Sequence, residues 1–166
     1  MVIRPIQVED TESFFSMMCF LDDETSFMMY EPGEREKTTD AMELRKKIDN
    51  AISMGDFLLI AEERDNIVGY IWAERGRFNR ILHTAYIVVG IRKAYRYQGI
   101  GTTFFKKLDE WARKNNIVRL ELTVECANTA AKHLYEKNGF VVEGRRMKSM
   151  KIGDEFVDEL YMAKLL

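Results

Sequence analysis

Apolar residues recur along the 166-residue chain with two periods, one typical of amphipathic helices and one typical of strands. The predicted strands cover residues 2–6, 57–63, 67–73, 83–91, 117–125, 140–150 and 155–165. The predicted helices follow Asp10 and cover residues 39–54, 100–114 and 128–137. Between residues 22 and 40 the chain is polar and acidic, which predicts an irregular loop with an apolar plug at Phe27, Met28, Met29 and Tyr30.

The order of these elements predicts the fold class. A first strand is followed by two helices and three strands, after which helices and strands alternate before a final hairpin. This order predicts an α/β fold in which helices cover both faces of a mixed sheet. The fourth strand, the helix at 100–114 and the fifth strand form a βαβ unit, whose crossover is expected to be right-handed. Because no Ser/Gly/Pro-rich linker divides the chain, residues 1–166 are expected to form one domain.

Composition excludes several classes of function. Lys plus Arg number 25 and Asp plus Glu 27, and the net charge of -2 gives no indication of a nucleic-acid-binding surface. Every apolar stretch, including residues 57–61, is far below the ~20 residues that span a membrane. The two cysteines, Cys19 and Cys126, form no CxxC pair, and the two histidines add too few ligands for zinc. We therefore expect no metal and a reducing, cytoplasmic location.

The segment between the fourth strand and the long helix carries the most informative motif. A strand ends, a basic loop follows, and Gly99 and Gly101 open the helix. A helix N-terminus presents unpaired N–H groups and a partial positive charge, and glycine lets a large anion approach that backbone. The basic residues of the loop are Arg92, Lys93 and Arg96. Together these features predict a phosphate or pyrophosphate site.

Two well-known nucleotide motifs do not fit this loop. A Rossmann fingerprint needs a third glycine where the chain has Phe104, and a Walker loop needs a lysine where Thr102 stands. On the glycines alone, close packing of the helix on the sheet is the alternative to anion binding.

Two separate blocks of sequence resemble the motifs of the GNAT acetyltransferase superfamily. Arg96-x-x-Gly99-x-Gly101 is similar to the family's Q/R-x-x-G-x-G/A motif, and residues 128–140 are similar to its later motif N-x-x-A-x-x-x-Y-x-x-x-G-F. The order of elements also resembles that of the family over essentially the whole chain. The resemblance implies a seven-stranded, mostly antiparallel mixed sheet flanked by four helices and splayed between its fourth and fifth strands.

The resemblance also implies which residues bind acetyl-CoA as a cosubstrate. In the family, the glycine loop holds the pyrophosphate mainly through backbone N–H groups, and the end of the fourth strand binds the acetyl carbonyl and the pantetheine arm. The residues so implied are Val89, Gly90, Ile91, Arg96, Tyr97, Gln98, Gly99, Ile100, Gly101, Thr102 and Asn128. Gly90 also suits a bulge or a close backbone approach, and an ordinary buried strand is the structural alternative for residues 89–91. Asn128 has an alternative too, since asparagine is a preferred helix cap.

Tyr135 matches the family's usual general acid, which protonates the departing CoA thiolate. A phenol with a pKa of about 10 keeps its proton at neutral pH, although a core tyrosine is the structural alternative. The attacking amine also needs a base. Thr123 stands where ribosomal-protein alanine acetyltransferases, relatives within the family, have a glutamate. Glu121 and Glu125 share its strand face and are candidates for a base that acts through water, with an ion-paired or solvated role as the alternative.

The implied function is an acetyl-CoA-dependent N-acetyltransferase, in which a bound primary amine attacks the thioester in a ternary complex without an intermediate on Cys126. A non-catalytic acyl-CoA sensor on the same fold is the alternative, favoured by Thr123. The loop at residues 22–40 favours a cationic acceptor, because it carries the acidic residues Asp22, Asp23, Glu24, Glu31, Glu34 and Glu36. The apolar residues of the same loop equally favour an amino acid or a hydrophobic amine, and a solvated acidic surface is the structural alternative. A homodimer is an expectation from the resemblance alone.

Overall fold

The computed structural model describes all 166 residues, Met1–Leu166. The strands are β1 Val2–Pro5, β2 Phe57–Glu63, β3 Asn66–Arg75, β4 Thr84–Ile91, β5 Arg119–Glu125, β6 Val141–Ile152 and β7 Glu155–Leu165. The helices are α1 Thr11–Glu24, α2 Arg35–Thr38, α3 Ala41–Ser53, α4 Ile100–Lys114 and α5 Thr129–Lys137. Each predicted element is present, and the single turn α2 makes five helices where four were predicted. None of these helices is long and apolar enough to cross a membrane.

The seven strands form a mixed sheet in the order β1-β2-β3-β4-β5-β7-β6. Neighbours are antiparallel in the pairs β1–β2, β2–β3, β5–β7 and β6–β7. β4 and β5 are parallel, and their register runs from Thr84 with Arg119 to Tyr86 with Glu121. Parallel neighbours need a crossover connection, which α4 supplies here. The predicted mixed and mostly antiparallel sheet is therefore confirmed.

The chain packs as two compact units, of which the first comprises Met1–Glu74 and Val88–Phe104. Its core contains the apolar stripes of α1 and α3 together with β2 and β3, and Phe14 and Ile48 are fully buried in it. Asp40 caps α3, since its side chain accepts a hydrogen bond from the Glu43 N–H at 2.7 Å.

The second unit comprises Arg75–Ile87 and Phe105–Leu166. Along β5, the buried residues Leu120 and Leu122 alternate with the half-exposed Glu121 and Thr123. Because successive strand residues point to opposite faces, one face of β5 belongs to the core and the other is open. The assignment of one domain to residues 1–166 stays a prediction.

The acidic segment at the end of α1 differs from the predicted loop. Asp22 lies within α1, is buried, and forms an ion pair with Arg35 of α2 in which Oδ2 and Nε are 2.6 Å apart. Tyr30 lies beneath the Arg35 guanidinium, 4.2 Å from the ring centroid. The predicted apolar plug is confirmed only in part, since Met28 packs against the core whereas Phe27 and Met29 are exposed. A buried ion pair, which the periodicity of apolar residues does not indicate, also holds this segment.

β3 begins one residue earlier than predicted, so a two-residue turn joins it to β2. Its two residues are Arg64 and Asp65, which both have positive φ, at 49° and 63°. Two-residue hairpin loops of this kind match the right-handed twist of the strands they connect. Asn66 is already part of β3, where it pairs with Glu63.

Candidate active site

The loop that joins β4 to α4 leaves the start of the helix open. Gly99 adopts a left-handed φ of 83°, and a Cβ added there would meet no atom within 4 Å. The Thr103 N–H donates to the Gly99 carbonyl at 3.0 Å and makes the first bond of the helix. The N–H groups of Ile100, Gly101 and Thr102 therefore have no acceptor within α4. This arrangement offers donors and a partial positive charge to an anion.

The side chains of two basic residues of the loop, Arg92 and Arg96, are hydrogen-bonded to other groups of the protein. The guanidinium of Arg92 donates to Glu24 Oε1 at 2.8 and 3.1 Å, and the N–H of Lys93 donates to Glu24 Oε2 at 2.7 Å. Burial alone would raise the pKa of Glu24, but the hydrogen bonds from Lys93 and Arg92, with the positive charges of Arg92 and Arg96, outweigh it and lower that pKa. Arg96 donates through Nε to the Ile91 carbonyl at 2.9 Å. Glu24 thus neutralises Arg92, whereas Arg96 bonds to a neutral group and keeps its charge.

Tyr97 and Gln98 shape the middle of the loop. Tyr97 is 93% exposed and has a left-handed φ of 61°. This backbone conformation costs a non-glycine residue roughly 1–2 kcal/mol. The Gln98 side chain donates to the Ala94 carbonyl at 3.0 Å and holds the turn from within. Strained residues of this kind cluster at binding sites, which agrees with a binding role for the loop.

The end of β4 is closely packed at Gly90. A Cβ added there would lie 2.7 Å from Leu21 Cδ1 and 2.8 Å from Tyr70 Cε1, so no larger residue fits without a shift. The close approach at Gly90 is made by side chains and not by another backbone. The neighbours Val89 and Ile91 are half-buried.

In the second unit, α5 positions Asn128 and Tyr135. The Asn128 Oδ1 accepts a hydrogen bond from the Ala131 N–H at 3.2 Å, so its predicted capping role is confirmed. Tyr135 is 7% exposed, and its ring centroid lies 5.7 Å from that of Phe105 and 6.1 Å from that of Phe140. These edge and tilted contacts fix the direction of the tyrosine ring. The predicted core position of the ring is therefore confirmed.

The open face of β5 carries hydroxyl and charged groups. The Thr123 hydroxyl forms a 2.8 Å hydrogen bond with the Tyr86 hydroxyl, and Glu121 is ion-paired to Arg119 at 2.6 Å. Arg119 also bonds to Glu143 of β6, at 2.6 Å. An open cavity of about 310 Å³ lies on this face and is lined by Tyr86, Arg119, Glu121, Leu122, Glu143, Gly144 and Tyr161. The ion-paired alternative for Glu121 is thus confirmed.

Comparison with known proteins places these features in a family. Residues 17–140, well over half of the chain, match the Acetyltransferase (GNAT) family. The chain belongs to the GNAT acetyltransferase family. The resemblance inferred from the two sequence motifs is confirmed.

Individual family members resemble the chain over most of its length. A thialysine N-epsilon-acetyltransferase of Caenorhabditis elegans is 34% identical over 119 residues, which cover 69% of this chain and 73% of the relative. The crystal structure of a GNAT acetyltransferase from Streptococcus pneumoniae has a TM-score of 0.92 at 28% identity. The match covers 99% of this chain and 98% of the Streptococcus pneumoniae chain. A phosphinothricin acetyltransferase from Sinorhizobium meliloti, solved in complex with acetyl-CoA, has a TM-score of 0.86 at 16% identity, with coverage of 99% and 88%.

One further feature of this GNAT chain has no counterpart in the motifs. Glu125, the last residue of β5, lies opposite Glu159 of β7 in the antiparallel register. Both are buried, with 9% and 6% of their surface exposed, and the Oε2 atom of Glu125 has no hydrogen-bond partner. Burial, followed by the charge of Glu159, raises the pKa of Glu125. The sequence indicated only that Glu125 shares a face with Thr123, because the pairing with Glu159 depends on strand register.

Proposed function

We propose that the protein transfers the acetyl group of acetyl-CoA to a primary amine, by direct attack of the amine on the thioester in a ternary complex. The open start of α4 carries the proposal, because Gly99 leaves space beside three N–H groups that lack an intrahelical acceptor. A diphosphate suits such a position. A family member of the same fold is solved with acetyl-CoA, which supports this choice of anion.

In this proposal the loop and the end of β4 bind different parts of the cosubstrate. The backbone of residues 96–102 binds the pyrophosphate, and the Arg96 guanidinium adds positive charge. The backbone at Val89, Gly90 and Ile91 binds the pantetheine arm and polarises the acetyl carbonyl. One N–H directed at the developing oxyanion contributes about 3–4 kcal/mol in comparable enzymes. Asn128 contacts the cosubstrate in addition to capping α5.

CoA binding can be tested with a ligand that lacks the diphosphate. We expect CoA at a hundred times its dissociation constant to stabilise the protein by about 2.7 kcal/mol in thermal melts. Pantetheine, which carries the thiol but no diphosphate, should give a much smaller shift. Amide hydrogen exchange should slow around Gly99 with CoA only. Equal shifts with both ligands, or none with CoA, would contradict a diphosphate site at α4.

We propose that Tyr135 is the general acid that protonates the departing CoA thiolate. General acid catalysis typically contributes 10²–10⁴-fold, so Tyr135→Phe should lower kcat by roughly 100-fold or more. Phenylalanine keeps the ring that packs against Phe105 and Phe140, so the melting temperature and CoA binding should change little. An unchanged kcat would remove Tyr135 from the mechanism.

A non-catalytic acyl-CoA sensor is the second candidate. It is favoured by Thr123, which offers a hydroxyl bonded to Tyr86 where some relatives have a carboxylate base. The sensor predicts CoA binding without thiol release from acetyl-CoA for any amine. Thiol release with a primary amine, lost in Tyr135→Phe, supports the enzyme.

A further inference from the structure

Two buried side-chain oxygens, Oε2 of Glu125 and Oγ of Ser149, have no hydrogen-bond partner, and only the one on Glu125 belongs to a carboxylate. Buried polar atoms in proteins nearly always have a hydrogen-bond partner, and a group without one needs an explanation. The Oε2 atom of Glu125 lacks a partner although nine-tenths of the residue is buried. Leaving a charged group in this state costs more than leaving a neutral one. A ligand that donates a hydrogen bond to Oε2 would remove this cost.

The charges around Glu125 favour a cation. Glu159 lies directly across from it on β7, and Arg146 of β6 donates to Glu159 Oε2 at 3.0 Å. The same guanidinium lies 5.3 Å from the ring centroid of Tyr161. Arg146 is thus paired with Glu159, whereas Glu125 has no ion pair of its own. The Cys126 N–H next to Glu125 donates to the Asp158 carbonyl, so it does not serve the free oxygen. The site lacks one positive charge and at least one hydrogen-bond donor.

An ammonium group fits this deficit better than a metal ion. Calcium and magnesium take six or more oxygen ligands, and no group of three or more His, Cys, Asp or Glu residues in the structure could hold a metal. A primary ammonium has three donors and one charge, which can serve Glu125 and Glu159 together. The proposed function, on which this inference rests, supplies an amine-bearing substrate.

An ammonium held here is not the nitrogen that attacks the thioester. Opposite charges within a few ångströms favour the charged form of an amine, whereas attack requires the neutral form. We propose that the acceptor carries two amino groups, and that Glu125 and Glu159 bind the one that is not acetylated as an ammonium ion. Thr123 and Tyr161, which face each other across β5 and β7 two residues away, continue this polar row.

The test compares acceptors that differ only in the second amino group. 1,3-Diaminopropane, 1,4-diaminobutane and 1,5-diaminopentane are each paired with the monoamine of equal length, and thialysine and spermidine are added as larger probes. We expect at least one diamine to exceed its monoamine in kcat/KM by about tenfold or more, mainly through KM, because charge-assisted hydrogen bonds are the stronger class. The same diamine should raise the melting temperature of the CoA-bound protein.

The variant Glu125→Gln should bring the ratio of diamine to monoamine close to one. Glu143→Gln removes an exposed carboxylate that is paired to Arg119 and should keep the preference. Glu159→Gln is the second variant and should act like Glu125→Gln. The inference is overturned if monoamines match diamines, if Glu125→Gln keeps the preference, or if no probe stabilises the CoA-bound protein. Because CoA binding is measured separately, a loss of CoA stabilisation would count against the proposed function instead.

Discussion

Asp22 of the first unit and Glu125 of the second are both buried carboxylates, but only Asp22 is paired with an arginine. Asp22 is 1% exposed, and its two oxygens accept hydrogen bonds from Arg35 at 2.6 and 3.1 Å. Glu125 is 9% exposed, its Oε2 atom has no partner, and another carboxylate, Glu159, lies across from it. Both carboxylates are thus buried, and they differ in the residue that lies against them, an arginine for Asp22 and a second carboxylate for Glu125.

This contrast separates a structural role from a functional one. A buried carboxylate that is paired with a bidentate arginine is neutralised and hydrogen-bonded, so a ligand is not needed to satisfy it. A buried carboxylate opposite another carboxylate is kept at a cost, and natural proteins tolerate such costs mainly at functional sites. The sites therefore predict opposite responses to the same change, the replacement of a carboxylate by its amide.

Asp22→Asn should give the largest effect. It leaves the guanidinium of Arg35 buried without a counter-charge, which typically costs about 3–5 kcal/mol. Urea denaturation should show this loss in the free energy of unfolding. Asp23→Asn is the matched control, since Asp23 is the next residue along α1 and is exposed.

Removing both partners sharpens this result. The double variant Asp22→Leu with Arg35→Met should be clearly more stable than Asp22→Asn, because no buried charge remains unpaired. If Asp22→Asn unfolded at the same urea concentration as Asp23→Asn, the ion pair would not hold α1 to α2 and the contrast would fail.

Glu125→Gln should act in the opposite direction and stabilise the free protein at neutral pH by about 1 kcal/mol. Burial and Glu159 raise the pKa of Glu125 above its ordinary value of 4.5. Because the pKa of Glu125 is higher in the folded than in the unfolded protein, its charged form destabilises the folded state at pH values above both pKa values. This destabilisation vanishes at pH values below the pKa in the unfolded protein. The gain should therefore be present at pH 7–8, fade as the pH falls through the raised pKa of Glu125, and be gone below about 4.5.

Thermal melts of the free protein at several pH values check this prediction. The direction of the shift is decisive, since most substitutions destabilise a protein. A less stable Glu125→Gln protein at pH 8 would mean that Oε2 has a donor in the folded state, and Glu125 would then resemble Asp22.

The sequence predicted those parts of the molecule that depend on neighbouring residues. The start of α5 follows from the capping chemistry of Asn128, and its end follows from Gly139, which has a φ of 90°. The open start of α4 follows likewise from Gly99 after a strand. In each case the information lies within a few positions of the structure that it specifies.

Interactions between distant residues were not predictable in this way. Glu24 binds Arg92 across 68 positions, so its role in tying the loop to α1 has no local signal. The same holds for Glu125, whose neighbour Glu159 is set by the register of β5 with β7. A period of two places Glu125 on a face, but it does not tell which residue of another strand lies opposite.

The smallest effect is expected for Glu143→Gln, which tests whether burial is needed for either response. The hydrogen bond from Arg119 is the main cause that lowers the pKa of Glu143, and a lowered pKa adds stability that is lost as the pH falls through it. Glu143 is exposed, however, and solvent and salt screen such a pair. Arg119 also keeps Glu121 as a partner.

The melting temperature at neutral pH should therefore stay within the error of the parent protein, at low and at high salt. A shift as large as that of Glu125→Gln would mean that losing any carboxylate on this face is enough, and the case for Glu125 as an unsatisfied buried group would lose its basis.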